Sequence, residues 1–179
     1  MKKQILDFKN TNQLDLFPME DTMYVISTDN WKDQKSLIVN LGYPNVSCKI
    51  RCGYKVSSGE VVNLITTIIH KAPNTSSDAI VRAVLFDGGV SNYIGKVIIK
   101  KSARGSLSNL ENATLVVGEA THNHTEPIMQ IETDDVTASH SSFTGRIGKE
   151  QLYYLMSRGL SLEESQGLLI NAFLEPLGV

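Results

Sequence analysis

Hydrophobic and polar residues alternate along the central part of the chain, from about residue 23 to residue 142. The alternation is clearest from Val46, where the apolar residues Cys48 and Ile50 are separated by polar ones. A period of two residues places the apolar side chains on one face, which predicts half-buried β-strands. The pattern predicts strands at residues 24–27, 36–41, 46–56, 61–70, 79–86, 96–101, 113–117, 128–132 and 136–141.

The segments between the predicted strands indicate corners of a solenoid. The later strands are linked by small and polar residues, such as those at 102–109, and not by the Asn-Gly or Asp-Gly pairs typical of hairpins. Aromatic residues make up 7% of the chain, too few to fill a broad sandwich core, whereas stacked aliphatic residues fill a narrow solenoid. We therefore expect a mainly β fold, a solenoid, with a sandwich or a barrel as the alternatives.

The pattern becomes helical after residue 148. Three apolar residues recur at i, i+3 and i+4: Leu152, Leu155 and Met156. Gly159 follows as a C-terminal cap, and Ser161 with Glu164 forms a capping box for a second helix, which Pro176 ends. The chain therefore divides into a β-body at 1–148 and a helical hairpin at 149–179. This hairpin either caps the open end of the solenoid or docks a partner.

Composition narrows the possible partners. The chain has 17 basic and 19 acidic residues, a formal charge of -2, and this balance predicts neither nucleic-acid nor membrane binding. No window approaches the roughly 18 consecutive apolar residues of a membrane helix, and the first residues do not resemble a signal peptide. We expect a soluble, cytoplasmic protein.

The two cysteines, Cys48 and Cys52, lie on the apolar face of one predicted strand. Residues four apart on a strand are separated by about 13 Å. That distance is too long for a disulfide, whose Cα atoms lie within about 7 Å, or for two ligands on one metal ion. We expect two buried, free thiols.

Groups that ligate metals gather near the end of the β-body. They are His122, His124, His140, Glu119, Glu126, Asp134 and Asp135. His122 and His124 would share one face of a strand about 7 Å apart, which suits a borderline metal, or they are residues of a polar turn. The sequence has no phosphate-binding glycine loop and no serine nucleophile elbow. We expect no enzyme activity.

Residues 69–177 resemble the C-terminal part of the SufB/SufD family, iron–sulfur cluster assembly proteins that work with the ABC-type ATPase SufC. Separate blocks carry the resemblance in the same order: IIHKA at 68–72, YIGKVII at 93–99, TEPIMQIETDDV at 125–136, ASHSSFTGRIG at 138–148 and QLYYLMSRGL at 151–160. The resemblance implies a right-handed parallel β-helix with a C-terminal helical region that docks the ATPase. It also implies pairing with a second SufB/SufD-type subunit, or with another copy, near a forming cluster.

The resemblance also implies roles for particular residues. His140 matches a candidate ligand of a transient iron–sulfur cluster or iron. His124 and Thr125 match a His-Thr pair that the scaffold-type members tend to carry before the proline of the preceding strand. With Asp134 and Glu119, these histidines form the predicted ligand set. The predicted ATPase-docking residues lie on the first helix: Leu152, Tyr153, Leu155, Met156 and Arg158.

Two positions depart from the scaffold-type members. Asn112 stands where those members carry an essential cysteine, and Ser141 stands where they carry a glutamate after the key histidine. The chain therefore resembles the SufD type or a divergent paralogue more than a scaffold. Two functions follow: a cluster-assembly subunit with His140 as ligand, or an interaction protein that binds the ATPase and holds no metal.

Overall fold

The computed structural model describes residues 1–8, 10–28 and 33–178. Lys9, residues 29–32 and Val179, which fall within the predicted body and hairpin, lie outside the described residues. Within the described ranges the strands are β1 (Lys2–Leu6), β2 (Gln13–Leu16), β3 (Thr22–Thr28), β4 (Gln34–Leu41), β5 (Ser47–Val56), β6 (Val61–His70), β7 (Ser76–Leu85), β8 (Val90–Ile99), β9 (Ser106–Val116), β10 (His122–Ile131) and β11 (Val136–Arg146). The helices are α1 (Lys149–Ser157), α2 (Leu162–Leu174) and a short 3₁₀ helix (Glu175–Leu177).

The strands form two parallel sheets, and the chain alternates between them. One sheet has the order β1-β3-β5-β7-β9-β11 and the other β10-β8-β6-β4-β2. Val61 pairs with Val90, and Val90 pairs with His122, so the chain returns to the same position about every 30 residues. Each turn thus adds one strand to each sheet. The predicted parallel β-solenoid is confirmed, and the sandwich and barrel alternatives are excluded.

The core lies between the two sheets and is filled by every second residue of each strand. On β5, Cys48, Ile50 and Cys52 are at most 1% exposed. Both cysteines are free, and burial raises the pKa of each thiol to about 12. The prediction of buried, free thiols is confirmed, and such thiols are unreactive because the thiolate is the reactive form.

Several strands are longer than the hydrophobic pattern predicted, and β1 and β2 were not predicted. β8, β9 and β10 begin at Val90, Ser106 and His122, several residues before the predicted starts at 96, 113 and 128. The pattern missed these strand starts because polar residues face the solenoid interior there. Ser106 and Ser108 are both buried, so the alternation that marks a strand is hidden at these positions.

His70 organises this polar part of the interior. Its Nδ1 lies 2.8 Å from the Thr75 hydroxyl and its Nε2 lies 2.9 Å from the Ser77 hydroxyl. Those hydroxyls bond in turn to Ser106, at 2.9 Å, and to Ser108, at 2.8 Å. The network therefore links successive turns of the solenoid and satisfies both ring nitrogens without a charged partner.

One corner of the solenoid is stacked from turn to turn. Asn45, Asn74 and Gly105 occupy equivalent places in the left-handed region, with φ of 61°, 55° and 71°. The Asn74 amide donates to the Asn45 side-chain oxygen at 3.3 Å. Asparagine and glycine tolerate this conformation better than other residues. The chain therefore turns at the same place in three successive turns of the solenoid.

The hairpin packs beside the six-stranded sheet. Its capping box is present at Ser161, and Gly159 has φ of 97° as the predicted C-terminal cap. Arg82 of β7 lies 5.2 Å from the ring centre of Phe173, and Leu177, 1% exposed, faces Gly53 of β5. The hairpin therefore lies along the outer face of the sheet, and the strands of the last turn stay largely exposed.

Candidate functional site

The last turn of the solenoid, formed by β10 and β11, is the most open part of the β-body. β11 is the terminal strand of the six-stranded sheet, and β10 is the terminal strand of the five-stranded sheet. Most of their side chains are exposed, in contrast to the buried alternation of β6 to β8. Terminal parallel strands leave backbone N–H and C=O groups available for pairing with another chain.

His140 lies on β11 and faces the interior at this open end. It is in register with Leu110, a core residue, and remains exposed. Its Nδ1 lies 3.2 Å from the Sδ atom of Met129 on β10. A hydrogen bond in this contact requires the proton on Nδ1, because a thioether accepts and never donates. In that tautomer Nε2 is the ring atom that can ligate a metal.

Met129 was not among the residues expected from the sequence. It is in register with Val97, a core residue, so its thioether points inward toward His140. Thioether sulfur and imidazole nitrogen are both ligands that iron and copper accept. Thr125, Pro127 and Met129 alternate along β10 and therefore share one face of the strand. The sequence indicates this shared face only when the strand is known to begin at His122.

His124 lies on the other face of β10. It is in register with Asn92, whose amide bonds to Asn63 on the outer face of the sheet. Its Nε2 is 3.8 Å from a Glu126 carboxylate oxygen. His122 is on the same outer face as His124, as expected for two residues at i and i+2 on a strand. His124 therefore points outward from one sheet while His140 points inward from the other, and the two do not converge.

Glu119 and Asp134 lie at different corners of the last turn. Glu119 follows β9 and bonds to Arg146 at 3.0 Å. Asp134 is exposed in the turn between β10 and β11, beside a shallow groove of about 280 Å³. Among the described residues, no group of three or more His, Cys, Asp or Glu side chains could hold a metal ion. The four predicted ligands are thus dispersed within one chain.

Asn112 occupies a buried position beside this site. Its side chain is 3% exposed and accepts a hydrogen bond from the Thr125 hydroxyl at 3.2 Å. Asn112 is in register with Ser142, which follows His140 by two residues on β11. The two side chains are therefore diagonal neighbours on the inner face of one sheet, so a ligand at position 112 would lie near His140.

The hairpin presents a second candidate surface. Every residue of α1 is at least partly exposed, and Tyr153, Tyr154 and Met156 are 68%, 59% and 40% exposed. The Arg158 guanidinium stacks on Tyr154, 5.2 Å from its ring centre. A groove of about 460 Å³ separates α1 from α2, and its lining is Glu150, Gln151, Tyr154, Leu155, Leu168, Leu169 and Ala172. This surface is apolar and open, as in helix-in-groove recognition.

No helix in the described part of the chain is long and apolar enough to cross a membrane.

Comparison with known proteins identifies the family. The family model described as SUF system FeS cluster assembly, SufBD core domain, matches residues 22–173. An iron–sulfur cluster assembly SufBD family protein of Staphylococcus saprophyticus is 36% identical over 118 residues, which cover 66% of this chain and 25% of that protein. A protein of the same description from Mycobacterium bovis is 37% identical over 110 residues, 62% of this chain and 13% of that protein.

The chain thus spans about a quarter or less of the length of these relatives. The family match nevertheless runs from β3 through most of α2. It includes the solenoid after β2, the last turn with His140 and the exposed first helix of the hairpin. This protein belongs to the SufBD family.

Proposed function

We propose that this chain is a subunit of iron–sulfur cluster assembly that docks a SufC-like ABC ATPase and pairs with a SufBD-type subunit or with a second copy. The observation that carries the proposal is the SufBD core match over residues 22–173, which spans both the solenoid and the hairpin. In this role the chain performs no reaction of its own, and the ATPase supplies the free energy. The cluster, or its iron, is cargo.

The exposed face of α1 is the proposed ATPase dock. Tyr153 and Met156 are three residues apart, so they lie on one face of the helix, and they are 68% and 40% exposed. Exposed aromatic and methionine side chains on one helix face are typical of interface anchors. Leu152 and Leu155 complete this face at its half-buried edge, and Arg158 adds a charge at its rim.

The open last turn is the proposed pairing surface. Strands β10 and β11 end their sheets, and His140 directs Nε2 away from Met129. A cluster needs more ligands than His140 supplies, and cysteine thiolate is the usual one. The two cysteines of this chain are buried in the core. We therefore propose that the paired subunit provides the missing ligands, thiolate included, next to His140.

Co-purification with the ATPase tests the docking proposal. Tyr153→Glu with Met156→Glu places two charges on the proposed anchor face and should reduce ATPase recovery at least tenfold. Leu107→Glu is the matched control, because Leu107 is a similarly exposed apolar residue, at 53%, on a β-strand. If the α1 double variant retains the ATPase as well as the control does, the dock lies elsewhere.

Iron and sulfide content tests the cluster role. Asn112→Cys adds a thiolate one strand away from His140, so it should increase cluster retention after anaerobic reconstitution with the partner subunit. Adding His140→Ala to that variant should abolish the gain, while His124→Ala, on the outer face, serves as the control. If Asn112→Cys and His140→Ala leave iron and sulfide unchanged, the chain handles no cluster.

A second function is favoured by one observation, the asparagine at position 112 where scaffold-type members have cysteine. In that case the chain binds the ATPase and its partner subunit as an interaction protein and holds no metal. Anaerobic purification with both partners distinguishes the two functions. Stoichiometric complex without iron or acid-labile sulfide supports the interaction protein, and a complex that contains both supports the assembly subunit.

A further inference from the structure

The interior of the solenoid near its open end contains three polar atoms that are buried and unpaired. They are the Asn112 amide nitrogen, the Thr114 hydroxyl and the Asn123 amide oxygen, and they have no hydrogen-bond partner among the residues that the structure describes. We propose that these three groups bind an ordered water molecule that joins the two sheets. This inference rests on the fold and is independent of the proposed function.

The three groups belong to a ring of polar residues around the interior. Thr125 of β10 donates to Asn112 of β9 at 3.2 Å, and Asn123 of β10 donates to Thr144 of β11 at 2.9 Å. Thr144 is in register with Thr114 on the neighbouring strand. Asn112 and Thr114, like Asn123 and Thr125, are two residues apart on one strand face. Adjacent strands are about 4.8 Å apart and alternate residues about 7 Å apart, so the ring residues are near neighbours.

The chemistry of the three atoms matches a water molecule. The Asn112 nitrogen donates, the Asn123 oxygen accepts, and the Thr114 hydroxyl does either. Asn112 and Thr114 are 3% and 1% exposed, so bulk solvent does not satisfy them. Buried polar groups are almost always hydrogen-bonded, and internal water commonly makes about three such bonds.

The preceding turn backs this place with side chains of different sizes. Thr114 is in register with Ala83 and Asn123 with Ser91, both small, whereas Asn112 and Thr125 are in register with the larger Val81 and Tyr93. The ring itself contains only amides and hydroxyls, which provide no charge to compensate a bound ion. A neutral molecule of the size of water is therefore the expected ligand.

A matched pair of isosteric substitutions tests the proposal. Thr114→Val removes the hydroxyl that would bind the water. Thr66→Val is the control, because the Thr66 hydroxyl bonds directly to the Tyr93 hydroxyl at 2.8 Å in the same core. If water is bound, both variants lose a hydrogen bond, and each should lower Tm by roughly 2–4 °C. If no water is bound, the Thr114 hydroxyl is a buried polar group without a partner. Thr114→Val then removes that group and should raise Tm.

A high-resolution crystal structure of the unmodified protein supplies the second measurement. It should contain a water molecule within hydrogen-bond distance of at least two of the three groups. The proposal stands only if that water is present and Thr114→Val lowers Tm. A rise in Tm, or density that contains no such water, overturns it.

Discussion

Acid should destabilise this protein through a single buried histidine. His70 is fully buried, and its two ring nitrogens are bonded to the hydroxyls of Thr75 and Ser77. Burial lowers the pKa of His70 from 6.5 to about 4, because a charged imidazolium loses its hydration there. The folded state therefore binds the proton more weakly than the unfolded state does.

The sign and size of the effect follow from that difference. Between pH 6.5 and pH 4 the unfolded chain is protonated at His70 and the folded chain is not, so stability falls as the pH falls. The stabilisation is complete above pH 6.5. The loss from this group is about 2 kcal/mol at pH 5 and roughly 3 kcal/mol at pH 4, a large part of the stability of an ordinary domain.

Urea unfolding at pH 7, 6, 5 and 4.5 measures this loss. His70→Gln is the comparison variant, because glutamine keeps a polar side chain near Thr75 and Ser77 but does not titrate. The free energy of unfolding of the unmodified protein should fall toward that of His70→Gln as the pH is lowered, and carboxylate effects common to both proteins cancel in the difference. If the two free energies stay parallel from pH 7 to pH 4.5, His70 does not titrate as the buried geometry requires.

Two further predictions concern the core and the hairpin. Cys48 and Cys52 should react with a thiol reagent only at the rate of global unfolding, because both are buried with a raised pKa; fast labelling of the native protein contradicts this. Cys48→Ser should also leave any bound iron unchanged. Ser161→Ala should lower the free energy of unfolding by about 1 kcal/mol, since the Ser161 side chain caps α2. Ser161→Asp should retain most of this stabilisation, because aspartate is also a good N-cap residue. If Ser161→Ala leaves the free energy of unfolding unchanged, the cap contributes nothing.

The amino-acid sequence by itself determined the class of fold and the ends of the helices. Alternating residues such as Cys48, Ile50 and Cys52 require one buried face, and corners without hairpin pairs favour parallel strands that return turn after turn. Gly159 and the capping box at Ser161 act through local backbone geometry, so they can be recognised without knowledge of the rest of the chain. The family resemblance likewise followed from blocks of residues in order.

The tertiary structure decided which polar residues meet. Sequence alone grouped His124 with His140, but the strand registers place His124 on the outer face of one sheet and His140 on the inner face of the other, beside Met129. The early part of β9 could not be recognised in the sequence, because the residues that face inward there, Ser106 and Ser108, are polar. The physical reason is that a strand alternates its faces at every residue. Where a strand begins and which strand lies across from it therefore determine which side chains meet, and both depend on long-range pairing.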